Sequence, residues 1–225
     1  MKLKLNSYVL LINKEKKMKK LVVEFLGTFF LMLAASLSGN PLHVGLMLAS
    51  FVYIGGHISG GHFNPAVTLA VSIRQGFNLF TFASYALAQT LGAALGAVVH
   101  YWLTTRIFFP HLEPSATLHA FFIEAALTFV LCMVVLTMAT AEKLRGNFEY
   151  GLAIGFALTA IIAAGGPISG GVFNPAIGVG SLLFSASRQY FAWTNVLLYG
   201  AAPLLGGLVA AVIFVYLNDN IKKLF

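Results

Sequence analysis

Long apolar segments separated by short polar stretches dominate the chain. Six of them are long enough, or nearly so, to cross about 30 Å of hydrocarbon as α-helices; they cover residues 21–38, 42–56, 79–103, 117–141, 150–166 and 190–217. Two polar, glycine-rich phrases interrupt the pattern and are nearly identical, HISGGHFNPAVT at 57–68 and PISGGVFNPAIG at 167–178. The pattern predicts an all-α integral membrane protein with two irregular segments inside the bundle.

Each phrase carries the signals of a loop followed by a helix start. Asn is a favoured N-cap and Pro is well tolerated in the first turn, so Asn64 and Asn174 are expected to cap helices that begin at Pro65 and Pro175. The run from Pro65 to residue 73 would be roughly 14 Å long, half a bilayer. Irregular backbone at this depth must be buried in protein or line a watery cavity.

The chain consists of two similar halves. Glu24 in the first span and Glu124 in the fourth are each followed four residues later by Thr-Phe. The third and sixth spans share glycines that favour close helix packing, namely Gly92, Gly96, Gly206 and Gly207. Because each half has an odd number of spans, three, the second half is inverted in the membrane relative to the first. The shared site of such inverted repeats lies near mid-membrane. The predicted divisions are a basic tail (1–17), a first repeat (18–113) and a second repeat (114–225).

Composition and charge exclude a soluble or nucleic-acid-binding protein. Only 9% of the 225 residues are charged, against roughly 25% in soluble domains. With six spans and both termini in the cytoplasm, only Arg106 and Arg188 of the basic residues lie outside, where they are expected to anchor the membrane interface. The others lie inside, as the positive-inside rule requires: Lys2, Lys4, Lys14, Lys16, Lys17, Lys19, Lys20, Arg74, Lys143, Arg145, Lys222 and Lys223. The charge therefore indicates orientation and contact with membrane lipid.

The two capping asparagines would place hydrogen-bond donors at the centre of the membrane. In a cap, the Asn side-chain oxygen accepts a hydrogen bond from its own helix, which leaves the NH2 group free to donate. Each helix N-terminus also carries about half a positive charge. Such a site suits the oxygen of a small neutral molecule and repels cations, protons among them. His57 and His62 are too few ligands for a metal site, and we interpret them as loop braces. We predict no metal and no cofactor.

Two Asn-Pro-Ala phrases in inverted halves, each preceded by Ser-Gly-Gly, resemble the aquaporin (major intrinsic protein) family over roughly residues 20–217. The resemblance implies six transmembrane helices plus two half-helices, one pore per subunit, and a homotetramer. The short loops and the lysine-rich start are compatible with the plasma or bacterial inner membrane. The resemblance also implies that Glu24 and Glu124 brace the half-helix loops; an intramembrane Glu could otherwise relay protons. It places two tripeptides at the centre of the pore: Asn64, Pro65, Ala66 and Asn174, Pro175, Ala176.

The sequence departs from this family at the narrowest part of the pore. Most members continue the second phrase with Arg, where this chain has Ile177, and glycerol-conducting members usually follow with Asp, where it has Gly178. Counting back without gaps from the Asn of each phrase gives the other constriction positions: Val44, Ile162 and Gly171. We expect this constriction to be apolar and wider than that of a water-selective channel.

The sequence thus predicts a passive channel, and not an enzyme, for water or small neutral solutes: glycerol-like polyols, hydrogen peroxide, ammonia or dissolved gases. The alternative is a closed-pore structural or junctional membrane protein of the same fold, since apolar residues at all four positions could seal the pore. An intramembrane serine protease would need Gly-x-Ser-Gly and a partner histidine, whereas the phrases read HISG and PISG.

Overall fold

The computed structural model describes residues 2–108, 117–144, 146–186 and 193–218, with side chains except those of residues 2–11 and 186. These ranges hold eight α-helices: α1 (Lys2–Ser38), α2 (Pro41–Ser59), α3 (Pro65–Gln75), α4 (Leu79–Thr104), α5 (Thr117–Thr140), α6 (Tyr150–Ser169), α7 (Pro175–Ala186) and α8 (Trp193–Asn218). Six are long and apolar enough to cross a membrane, whereas α3 and α7 are short. The predicted six spans and two half-helices are confirmed.

The helix ends differ modestly from the prediction. The fifth span was expected to stop at residue 166, before Pro167, but α6 continues to Ser169. Pro167 is tolerated because only the last turn is affected and the N–H of Gly170 still closes that turn on the Gly166 carbonyl at 2.9 Å. The sixth span begins at Trp193; its predicted first residues, 190–192, lie outside the described residues.

The two repeats interlock. Equivalent pairs form within each repeat, α1 with α4 and α5 with α8, and α2 packs against α6 between the repeats. Each half-helix also contacts the last helix of the other repeat, so α3 packs on α8 and α7 on α4. This exchange brings the N-termini of α3 and α7 together in the middle of the bundle.

The bundle has two ends, which we name for use below. The lysine face is the end that carries Lys20, Gln75 and Lys143, and the far face is the end at which α1 and α4 finish, at Ser38 and Thr104. Among the described side chains, Lys14, Lys16, Lys17, Lys19, Lys20, Arg74 and Lys143 belong to the lysine face, and Arg106 follows α4 at the far face. Arg145, Arg188, Lys222 and Lys223 lie outside the described residues.

Glycines bring the paired helices into backbone contact, as expected. Gly92 of α4 lies against the Phe25 carbonyl of α1, and Gly206 of α8 lies against the Ala125 carbonyl of α5. A Cβ at Gly207 would come 2.5 Å from the carbonyl oxygen of Ala66. Larger residues at these positions would force the helices, and with them the half-helix α3, away from the centre.

Candidate functional site: the central pore

Both asparagines of the repeated phrases cap their half-helices. The side-chain oxygen of Asn64 accepts a hydrogen bond from the backbone N–H of Ala66 at 2.8 Å, and that of Asn174 accepts from Ala176 at 3.0 Å. Both asparagines are almost fully buried. The caps fix the orientation of each side chain, so each amide nitrogen points away from its own helix.

The two phrases are also hydrogen-bonded to each other. The amide nitrogen of Asn64 donates to the carbonyl of Phe173 at 2.8 Å, and that of Asn174 donates to the carbonyl of Phe63 at 2.9 Å. The expectation of a wholly free NH2 group is therefore wrong, because one of its two N–H groups is committed to the other repeat. One N–H of each asparagine remains to donate to a molecule in the pore.

The phenylalanine before each asparagine was missed in the sequence. Phe63 and Phe173 have φ of 49° and 47°, values that non-glycine residues rarely adopt, and both side chains are completely buried. The ring of Phe63 occupies the space that a side chain at Gly27 would need, and the ring of Phe173 does the same at Gly165. These buried rings anchor the turns that aim the asparagines; the signal for them was a Phe in both phrases.

The buried carboxyl of Glu24 accepts several hydrogen bonds from the first loop and its surroundings. It accepts hydrogen bonds from the Ser59 hydroxyl at 2.7 Å and from the backbone N–H groups of His62 at 3.0 Å and Phe63 at 2.7 Å. The side-chain amide of Gln89 donates to it as well, at 2.7 Å. Without this carboxyl, the backbone N–H groups of His62 and Phe63 would lack an acceptor.

The carboxyl of Glu124 accepts the corresponding hydrogen bonds in the second repeat. It accepts from the Ser169 hydroxyl at 2.6 Å and from the backbone N–H groups of Val172 at 2.9 Å and Phe173 at 2.6 Å. Ser59 and Ser169 were not singled out in the sequence, although a Ser precedes both Gly-Gly pairs. The two carboxyls thus tie α1 and α5 to the loops that precede the asparagines.

Two tyrosines complete this arrangement and were also missed. The hydroxyl of Tyr85 donates to the Ser59 carbonyl at 2.8 Å, and that of Tyr199 donates to the Ser169 carbonyl at 2.6 Å. They satisfy carbonyls at the ends of α2 and α6, where no further helical turn provides a donor. Their signal was a Tyr four residues before Gln89 and Pro203 in the corresponding spans.

The repeats differ on one side of the pore. In the first repeat, the hydroxyl of Thr68 accepts from the Gln89 amide at 2.9 Å and lies 3.3 Å from the His62 ring. The second repeat has Val172, Gly178 and Pro203 at the corresponding places. A Cβ at Gly178 would come 2.5 Å from the Cβ of Tyr199, so the tyrosine occupies the room that an Asp there would need.

His57 does not lie where a brace would lie. It is exposed in the last turn of α2, and its side chain makes no hydrogen bond within the described ranges. The interpretation of His57 as a loop brace therefore needs correction, because the loop N–H groups of His62 and Phe63 donate to Glu24 instead. His62 does contact the loop, through Thr68 and through its ring, 5.5 Å from that of Tyr85.

A central cavity of about 140 Å³ contains the asparagines. All four expected constriction positions line it: Val44, Ile162, Gly171 and Ile177. Most of the remaining lining is aliphatic, and Asn64, Asn174 and His62 provide its polar side chains. Since a water needs at least about 10–15 Å³ of such space, the cavity has room for several waters.

Further cavities continue this space toward both faces. One of about 360 Å³ opens at the lysine face and shares His62 and Val135 with the central cavity. Another of about 450 Å³ lies at the far face and shares Phe108 with it. The shared residues place the three cavities next to one another, with the central one between the other two.

Comparison with known proteins gives a consistent result. Residues 11–214 match the family described as major intrinsic protein. The chain is 34% identical to Nodulin-26 from Glycine max over 214 residues, covering 88% of this chain and 77% of that protein. It is 33% identical to Glycerol uptake facilitator protein-like 6 from Lactiplantibacillus plantarum over 216 residues, covering 86% of this chain and 95% of that protein.

The fold is also similar to a solved structure, that of the aquaglyceroporin from Plasmodium falciparum. The TM-score is 0.77 at 27% sequence identity, and the match covers 88% of this chain and 95% of that one. The family match, the relatives and this likeness agree with the paired half-helices and the central cavity. The chain therefore belongs to the major intrinsic protein family of non-enzymatic membrane channels for water or small solutes.

Proposed function

We propose that the chain passively conducts water and small neutral solutes through the central cavity, with a constriction that lacks arginine. The observation that carries this proposal is the central cavity, which is lined by both asparagines and by Val44, Ile162, Gly171 and Ile177. Two aliphatic residues from α2 and α6 face a glycine and an isoleucine from the second phrase. Ile177 occupies the position at which the resemblance places arginine.

In this channel, the half-helices α3 and α7 select for neutral molecules. The N-termini of α3 and α7 each carry about half a positive charge, and each capping asparagine keeps one N–H for the oxygen of a passing molecule. Two positive helix ends at the centre raise the energy of any cation there. The half-helix ends then oppose cations without help from a charge at the constriction.

The proposed substrates include molecules larger than water. Isoleucine provides neither the donors nor the length of arginine, so a constriction at Ile177 is less polar and leaves more room. The similar proteins include one named Glycerol uptake facilitator protein-like 6 and the solved aquaglyceroporin, and these names favour glycerol-like polyols. Hydrogen peroxide, ammonia and dissolved gases fit the same apolar opening.

Glu24 and Glu124 are proposed as structural braces and not as proton relays. Each carboxyl is completely buried, and the described partners of each are donors that belong to the loop or to a neighbouring helix. Both carboxyls accept from a serine hydroxyl and from two backbone N–H groups of the loop, and Gln89 adds a further bond in the first repeat. This similarity favours the same structural role for the glutamate of each repeat, residues 18–113 and 114–225.

We further propose that the lysine face is cytoplasmic, as the positive-inside rule indicates, with both termini on that side of the plasma or bacterial inner membrane. The outer surfaces of the helices expose many large apolar side chains, including Leu87, Phe122 and Leu197. Such surfaces fit contact with lipid and with other subunits of a homotetramer.

Water transport tests the proposal. Proteoliposomes mixed with an impermeant sucrose gradient should shrink at least about fivefold faster than empty liposomes, since an open pore lowers the barrier for water. Val44→Trp should abolish the excess by filling the cavity, whereas Leu46→Trp, on the exposed side of α2, should retain it. Shrinkage no faster than that of empty liposomes would favour the closed-pore alternative.

A further inference from the structure

A basic segment of α1, residues 14–20, lies at the lysine face. It holds five lysines and one glutamate, and Glu15 pairs with Lys19 at 2.6 Å. Among the described side chains, no carboxylate pairs with the other four lysines, which are Lys14, Lys16, Lys17 and Lys20. The basic segment therefore carries positive charge that the described part of the protein does not compensate.

The position of Lys17 along α1 matches the depth of lipid phosphate groups. An α-helix rises 1.5 Å per residue, so Lys17 lies about 32 Å along the axis from Ser38, the last residue of α1. The hydrocarbon core of a bilayer is about 30 Å thick. With Ser38 at one boundary of this core, Lys17 lies at the other boundary, where the headgroups begin.

Lys17 also contacts the beginning of α4. Its Nζ lies 3.5 Å from the centroid of the Phe80 ring, and its side chain is half-buried, whereas the other lysines of the basic segment are exposed. An ammonium group is attracted to the face of an aromatic ring, and it has three N–H donors with which to bind an anion. Phe80 thus fixes one cation of the basic segment beside α4.

Exposed apolar side chains lead from Lys17 into the hydrocarbon region on both helices. On α4, Phe80 and Leu87 are exposed and lie two turns apart on the same side. On α1, Met18 and Val22 are exposed one turn apart. Because α1 and α4 pack against each other, these apolar surfaces lie on neighbouring helices, with Lys17 at their lysine-face end.

We propose that this surface binds one anionic phospholipid, such as phosphatidylglycerol, with its phosphate at Lys17 and its acyl chains along Phe80 and Leu87. Lys14 and Lys20 are three residues away on either side, so they are neighbours of Lys17 on the helix surface and add to the attraction for negative charge. A choline headgroup carries a positive charge that the same lysines disfavour. The lipid site does not depend on conduction through the pore.

The proposal distinguishes Lys17 from Lys19. Successive residues of a helix are rotated by about 100°, so Lys19 points away from Lys17 and from the Phe80 ring. Glu15 also neutralises Lys19. A general attraction between a basic tail and the membrane would depend equally on both lysines, whereas a defined site depends on Lys17.

Native mass spectrometry of the detergent-solubilised protein measures the binding. We expect dioleoylphosphatidylglycerol to bind at least about threefold more tightly than dioleoylphosphatidylcholine, because the two lipids differ in headgroup charge. Lys17→Gln should weaken phosphatidylglycerol binding at least about threefold, and Lys19→Gln, the matched control, should change it by less than about 1.5-fold. Equal binding of the two lipids by the wild type, or equal losses in the two variants, would overturn the proposal.

Two further variants separate the lipid site from an effect on folding. Lys17→Arg keeps the charge and the contact with the ring and should retain phosphatidylglycerol binding, whereas Phe80→Ala removes the ring and should weaken binding at least about twofold. Glycerol 3-phosphate, which has the phosphate without acyl chains, should not displace the lipid. Displacement by glycerol 3-phosphate, or wild-type affinity in Phe80→Ala, would overturn the proposal.

Discussion

Replacing Ile177 with arginine is expected to lower glycerol permeability at least about tenfold and water permeability by less than about twofold, because pore width and lining donors set selectivity. Ile177 is only 5% exposed and lines the central cavity with Val44, Ile162 and Gly171. A guanidinium there would narrow the opening and add fixed donors. A single water can pass such donors in sequence, whereas a three-carbon polyol needs the full width.

Stopped-flow light scattering of matched proteoliposomes measures both permeabilities. Ile177→Leu is the control, since it keeps the volume and the apolar character and should leave the glycerol-to-water ratio within about twofold of wild type. If the ratio in Ile177→Arg equals that of wild type, the constriction lies elsewhere in the cavity.

Replacing Glu124 with leucine is expected to prevent formation of a stable channel. The change leaves the backbone N–H groups of Val172 and Phe173 buried without an acceptor, and the Ser169 hydroxyl keeps only the Gly165 carbonyl, at 3.4 Å. Each such loss costs about 1–3 kcal/mol, so the sum is several kcal/mol. That is a large share of the roughly 5–15 kcal/mol by which a typical domain is stable.

The yield of monodisperse protein in detergent and its thermal unfolding temperature measure this effect. Glu124→Gln keeps one acceptor oxygen and should be intermediate. Glu149→Gln alters an exposed carboxyl before α6 and should change the free energy of unfolding by no more than about 0.5 kcal/mol. A Glu124→Leu protein that unfolds at the wild-type temperature would show that the carboxyl is not a brace.

The helices could be predicted because their signals are local. Apolar length gave the six spans, and Asn before Pro gave the starts of α3 and α7 at Pro65 and Pro175. The inverted arrangement followed from an odd number of spans per half. These features depend on neighbours along the chain or on the bilayer, so a single sequence was enough.

The contacts that complete the site could not be predicted because they join distant parts of the chain. The bond from Asn64 to the Phe173 carbonyl spans 109 residues, and it depends on how the repeats interlock. For the same reason His57 was misassigned: its place in the phrase suggested the loop, but the last turn of α2 leaves it exposed. The role of Tyr85 depends on where α4 passes the end of α2.

We expect this pore, without arginine at its constriction, to admit neutral solutes larger than water. The most direct test mixes wild-type proteoliposomes with a glycerol gradient and follows their volume by light scattering. We predict rapid shrinkage followed by reswelling at least about fivefold faster than in empty liposomes, as glycerol enters through an opening wide enough for it. Reswelling at the rate of empty liposomes would show that the pore does not admit glycerol.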